Sequence, residues 1–322
     1  MNGPRSIHEI DFAKLTNRKF TPSPDSWNDQ VLYFLMLDRF SDGNERGGFR
    51  DNFDQPVTGG HTPLATPASA GSIPYGDWIK QGPGWQGGTL KGLKSKLGYL
   101  QRLGVTAIWI SPIFKQVCFE DTYHGYGIQN FLEIDPHFGT REDLRDLVDE
   151  AHRLGIYCIL DIILNHSGNV FGYKDIRYQS VNAQGEWYPD LRWDGQPYVV
   201  EGFRDKDGRA TLPFSPPDPS ALEAAWPEGA IWPRELQSPD NFMQMGRITN
   251  WDHFPEFVDA DFCDLRKLRL SVDWSGKYPR YSSALRTLSF CYFYWIAYAD
   301  IDGFRIDTVK HMGPRPRGSS AL

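Results

Sequence analysis

Apolar positions recur with the period of a helix along two stretches of this chain, and each stretch runs into a short, unbroken apolar block. Leu90, Leu93, Leu97, Leu100 and Leu103 share one helical face, Gly104 is placed to end the helix, and Val-Thr-Ala-Ile-Trp-Ile at 105–110 follows as a strand. The unit then repeats. Thr140 and Asp143 are spaced as a capping pair, while Leu144, Leu147, Val148, Ala151 and Leu154 form the apolar face. Gly155 ends that helix, and 156–164 reads as the next strand. Both units pass through the same Arg-Leu-Gly, at 102–104 and 153–155. A third helix over 283–297 leads into a strand over 303–309, and an earlier apolar run at 31–37 is the first strand.

Helices alternating with near-continuous apolar strands predict an α/β fold, with a parallel sheet covered by helices. In such sheets the chemistry gathers at the carboxyl ends of the strands. Those ends carry Asp38 and Arg39, then Ser111 and Pro112, then Asp161, Asn165 and His166, and last Arg305, Asp307, Lys310 and His311.

Two connections are too long for a plain strand-to-helix turn. Residues 41–89, rich in Gly, Pro, Thr and Asp, are expected to form an elaborated loop over the strand ends. Residues 167–280 are expected to form an inserted subdomain, since a structureless loop of that size does not suit a compact domain. The insertion holds Trp187, Trp193, Trp226, Trp232, Trp251 and Trp274, most of them expected in its core. The predicted organisation is an N-terminal segment 1–30, a first part of the sheet 31–166, the insertion 167–280, a last helix and strand 281–312, and an irregular tail 313–322.

Composition narrows the function classes. A 40% hydrophobic and 14% aromatic content indicates a folded globular protein. A net charge of −7 and a pI near 5.6 leave no basic stripe for a polyanion, which argues against a nucleic-acid partner. Cys118, Cys158, Cys263 and Cys291 contain no C-x-x-C pair, and Cys158 and Cys291 sit in apolar runs as buried thiols. No run approaches the roughly 18 apolar residues of a membrane span. The start, MNGPRSIHEIDFAKL, has no apolar h-region, so a cytoplasmic protein is expected, with export left open.

The densest chemistry lies in Gly-Phe-Arg-Ile-Asp-Thr-Val-Lys-His, 303–311. Arg305 and Asp307 are two apart, so on a strand they point to the same face. A guanidinium beside a carboxylate favours its charged form, as a carboxylate nucleophile requires. Taken in isolation, R-x-D reads better as a structural ion pair at a strand end, and Asn165-His166 is equally a turn that caps its own backbone. Asp161, ahead of Ile-Ile-Leu, needs a partner if buried, and Arg305 is the natural one.

Together, D-x-x-x-N-H at 161–166 and G-F-R-x-D-x-x-K-H at 303–311 resemble the first two signature regions of the α-amylase family of glycoside hydrolases. Further segments resemble members of that family: Asp-Arg-Phe-Ser-Asp-Gly-Asn (38–44), Trp-Gln-Gly-Gly (85–88), Val105–Phe114, Tyr-His-Gly-Tyr-Gly (123–127) and Asp-Pro-His-Phe-Gly-Thr (135–140). The resemblance implies a (β/α)8 TIM-barrel type, of which residues 30–312 supply strands one to four. It implies an α-linked glucan or maltooligosaccharide as the partner. Asp307 matches the nucleophile that forms a covalent glycosyl-enzyme, and Arg305 the residue that holds and orients it. His166 and His124 match residues hydrogen-bonding the sugar in the cleaved subsite, and Tyr126 the ring stacked on it. Asp161 matches the structural carboxylate bonded to the arginine, and Lys310 and His311 residues of the leaving-group side. Tyr126 also reads as an ordinary packed ring and Lys310 as a solvated strand end.

Calcium is the one cofactor implied. Asn165 matches a ligand of a calcium between barrel and insertion, and Asp42 and Asn44 have the oxygen donors of a second calcium loop. That loop departs from the pattern, with Gly84 where an acidic residue precedes the tryptophan and glycines after Asn44. The family's acid/base glutamate and its second aspartate belong to later strands, and nothing after His311 resembles them. The expectation is therefore a truncated or frame-shifted product, inactive alone, with a non-catalytic glucan-binding fragment as the alternative.

Overall fold

The structure is a computed structural model that describes residues 3–44, 52, 55, 82–216, 226, 228–273 and 280–313. Trp274, the tail beyond 313 and most of the expected 41–89 loop lie outside the described residues.

Four strands, β1 (Leu32–Leu35), β2 (Ala107–Ile110), β3 (Tyr157–Ile162) and β4 (Gly303–Ile306), form one parallel sheet in sequential order. Three helices connect them: α1 (Leu90–Arg102), α2 (Arg141–Arg153) and α3 (Ser283–Ala299). Sequential order without a switch point is that of consecutive barrel strands, not of a doubly wound sheet. Leu35, Ile108, Ile110, Cys158, Leu160 and Ile162 are buried on the side that carries the leucine face of α1 and the Leu144–Ala151 face of α2. The other side of the sheet is open: Leu32 and Phe34 are exposed, while Trp109 and Ile159 are half-buried.

The helix ends form as the sequence predicts. Thr140 Oγ1 accepts from the Asp143 N–H at 3.1 Å and Asp143 Oδ2 from the Thr140 N–H at 3.0 Å, a reciprocal capping box. Gly155, at φ +74°, ends α2 in the left-handed region that glycine enters without strain. All four strands are shorter than their apolar runs. β4 ends at Ile306 instead of 309 because Thr308, at φ 53°, turns the chain into a 3-10 helix over Val309–His311. Leu103 leaves the expected apolar face and is exposed: it caps α1 one residue past the last turn, ahead of Gly104.

Between β2 and α2 the chain makes a hairpin of Phe114–Gln116 and Ile128–Ile134 that the sequence pattern did not reveal. The insertion contains four further two-stranded ladders: His166–Ser167 with Arg266–Lys267, Phe171–Tyr173 with Val200–Phe203, Gln179–Val181 with Trp187–Pro189, and Ser271–Asp273 with Arg280–Tyr281. Its core is a ring cluster of Phe171, Tyr173, Phe203, Phe214 and Phe242. The tryptophans correct the expectation. Trp226 and Trp232 are buried, but Trp193 is half-buried and Trp187 and Trp251 are exposed. Trp187 lies on a two-stranded ribbon whose residues are mostly exposed, which leaves its ring in solvent among the described residues.

Candidate active site

Register brings the two motif strands together. In the β3–β4 ladder Arg305 lies directly opposite Asp161, although 144 residues separate them. Arg305 Nη1 donates to both Asp161 oxygens at 3.1 Å and to Asp307 Oδ1 at 2.6 Å. One guanidinium thus bridges two carboxylates, as the sequence reading expects. The Asp307 N–H donates to the Ile162 carbonyl at 2.9 Å, so the ladder persists one residue past β4 and fixes the backbone beneath the Asp307 side chain.

Asp161 is fully buried, and burial pushes its carboxyl up to about 6 against the opposing pull of Arg305. Its Oδ2 also accepts the Trp109 indole N–H at 3.1 Å, while the Arg305 guanidinium lies 5.0 Å from the centre of that indole ring. Sequence reasoning missed Trp109. Its signal was position alone: two residues before Ser111 on β2, it shares the open face of the sheet.

Tyr126 and His124 come from the turn of the unanticipated hairpin. The rings stack at 5.5 Å between centroids, 25° apart. The Tyr126 N–H donates to His124 Nδ1 at 3.0 Å, so neutral His124 carries its proton on Nε2. Burial lowers the His124 pKa. Burial, with the nearby charges of Asp161 and Asp307, pushes the Tyr126 phenol up to about 12, which keeps it a hydrogen-bond donor.

His166 is buried and stacked on Phe262 at 5.4 Å. Burial, aided by the positive charge of Lys267, pulls it down to about 3, so it is neutral. Its Nδ1 faces the Asn165 amide nitrogen at 3.2 Å, while its Nε2 has no hydrogen-bond partner among the described residues. Arg305, Asp307, Asp161 and Tyr126 are therefore one electrostatic cluster, with His124 against Tyr126. Lys310 and His311 make their own hydrogen bonds to other partners, although the Asp307 charge reaches His311. Lys310 Nζ donates to the exposed Asp252 Oδ1 at 2.6 Å. His311 is buried, with Nδ1 2.7 Å from the Phe257 carbonyl, among Trp251, Phe257 and Phe262.

The calcium expectation at Asn165 meets an occupied position. The Lys267 amino group donates to Asn165 Oδ1 and, at 2.5 Å, to the His311 carbonyl. Lys267 is buried; burial lowers its pKa to about 7, while Asp259 and Asp261 hold it up. Calcium takes six to eight oxygens, and the oxygen that Asn165 would contribute already faces an amine, so these residues do not fit calcium. Asp42 and Asn44 form a local turn, the Asn44 N–H donating to Asp42 Oδ1 at 2.8 Å. Asp42 Oδ2 is buried without a partner among the described residues. Among the described residues no three His, Cys, Asp or Glu side chains cluster as metal ligands.

The Asp38 carboxylate is a structural anchor. It accepts the Gln86 and Gly87 N–H groups at 2.9–3.0 Å and pairs with Arg39 at 2.9 Å. The chain passes so close that a Cβ on Gly88 would stand 2.0 Å from the Leu37 carbonyl oxygen. Trp85 then stacks on His137 at 3.9 Å, joining two of the motifs.

Comparison with known proteins identifies what the chain is similar to. The family model described as alpha amylase, catalytic domain, matches residues 34–320. An alpha-amylase of Streptomyces lividans is 34% identical over 241 residues, covering 71% of this chain and 24% of that protein. The periplasmic alpha-amylase of Escherichia coli is 33% identical over 91% of this chain and 42% of its own length. Among solved structures, an alpha-amylase from Geobacillus thermoleovorans complexed with acarbose superposes with a TM-score of 0.51 at 26% identity, over 90% of this chain and 42% of that one. The chain thus spans less than half the length of these relatives.

Proposed function

Since this chain belongs to the alpha-amylase family of glycoside hydrolases, we propose that it is the part of an α-glucan-active glycosidase or transglycosylase that carries the nucleophile, Asp307. The observation that carries this reading is the single guanidinium of Arg305 held between Asp307 and the buried Asp161. In a retaining mechanism an Asp307 oxygen attacks the anomeric carbon, the glycosidic bond breaks, and the leaving oxygen takes a proton from a second carboxyl group. Arg305 leaves Asp307 one orientation for that attack. Tyr126 offers a ring to the sugar face, and the N–H groups of His124 and His166 suit its hydroxyls.

Among the described residues, the side-chain hydrogen bond and ion pair of Asp307 both come from Arg305. In the proposed reading the acid/base carboxyl comes from outside residues 1–322, and this chain by itself binds a maltooligosaccharide without turning it over. The acarbose bound to the Geobacillus enzyme supports a glucan-like ligand.

A fluorinated α-glucosyl fluoride, with its good leaving group, tests the nucleophile without needing the acid. Mass spectrometry should find one glycosyl adduct on the peptide containing Asp307 and none in Asp307→Ala. An adduct elsewhere overturns the assignment. Reducing ends released from a maltooligosaccharide and abolished by the same substitution would show that the chain turns over alone.

A further inference from the structure

Lys267 joins two elements that the sequence keeps far apart. Its backbone is pinned from both sides. The Lys267 N–H donates to Asp261 Oδ1 at 2.8 Å, its carbonyl accepts from Met243 at 3.1 Å, and the next N–H, of Leu268, donates to the Asn165 carbonyl at 2.9 Å. In the ladder Lys267 stands opposite His166. The side chain, 3% exposed, ends between Asn165 just past β3 and His311 just past β4. Both motif segments are thus held by one amino group from the insertion.

We infer that Lys267 takes the place of a bound cation at this junction and, by fixing Asn165, sets the tautomer of His166. An amino group at this position only donates towards oxygen, so Asn165 must turn Oδ1 towards it. The amide nitrogen then faces His166 Nδ1 and donates to it. With Nδ1 accepting, the imidazole proton resides on Nε2, the buried atom that has no partner among the described residues. An unpartnered buried N–H is costly unless something accepts from it. It is therefore a donor held ready for a ligand oxygen. Lys267 is a positioning residue, acting through Asn165. Only the identity of that ligand as a sugar rests on the proposed function; the cation replacement and the tautomer stand on the hydrogen bonds.

The test uses the full chain with 15N-labelled histidine, and Lys267→Met and Lys267→Arg beside the wild type. Long-range 1H–15N spectra read the tautomer of His166, assigned by its loss in His166→Gln. Equilibrium dialysis against calcium and melting in excess EDTA or calcium chloride read the metal. The wild type should show the Nε2–H tautomer, bind no calcium at this junction and melt at one temperature in both media. Lys267→Arg should keep the tautomer, and Lys267→Met should mix it. A wild-type melting temperature that calcium raises and EDTA lowers, or a wild-type Nδ1–H tautomer, overturns the inference even if the Met variant does not fold. An unchanged tautomer in a folded Lys267→Met overturns the positioning role. Failure to bind glucan with these results intact sinks the proposed function alone.

Discussion

At the scale of single residues, Asp161 is where two opposed effects can be weighed. Burial raises its pKa to about 6 from 3.8, and the Arg305 guanidinium pulls the other way and loses. The folded chain then holds that proton more tightly than the unfolded chain does. Stability from this group is fully present below about pH 4 and is lost as pH rises through 6. Asp161→Asn does not titrate. Its melting temperature relative to the wild type should therefore climb between pH 4 and 6, as read by thermal melts across that range. A relative melting temperature that falls instead would mean that Arg305 outweighs burial. The pairing of Asp161 with Arg305 was legible in the sequence, because both lie on strand ends and a carboxylate among apolar residues needs a cation. Lys267 was not legible. Its partner Asn165 lies 102 residues away, across a ladder of two residues a side that leaves no periodic signal.

Among the elements, the repeated helix-and-strand units were readable because each period matches one buried face. The leucines of α1 and the Leu144–Ala151 set of α2 confirm it. The hairpin that carries Tyr126 and His124 was hidden for the opposite reason. Its strand over Ile128–Ile134 is buried on both faces, so alternation disappears, and its partner strand is only three residues long. The fourth strand was read three residues too long, since Val309 continues the apolar run while Thr308 breaks the backbone path. Capping gives a direct measurement at this scale. Thr140→Ala removes one side of the capping box on α2 and should cost about 1 kcal/mol, read as a lower urea midpoint at unchanged slope. No loss of stability would mean that packing alone sets where α2 begins.

Over the whole molecule the sheet has two unlike sides. The helix-covered side is dry, whereas the opposite side presents Leu32 and Phe34 on β1, an edge strand of the four. Exposed apolar rows on a strand edge invite pairing with another copy. The chain should therefore associate as its concentration rises, and Leu32→Lys should weaken that association, both read by sedimentation velocity. A monomer at every concentration tested would mean that residues outside those described cover this side.

Of the eleven tryptophans, Trp109 is the one whose indole N–H donates to Asp161 and whose ring lies beside the Arg305 guanidinium. The first contact needs only β2 beside β3, whereas the second exists only when β4 lies against β3. The chain therefore contains its own optical gauge. Trp109 emission should shift in the same step that docks the last strand, and again when a ligand at Asp307 moves the guanidinium. Assembly of the nucleophile's surroundings can be followed by light, without any label.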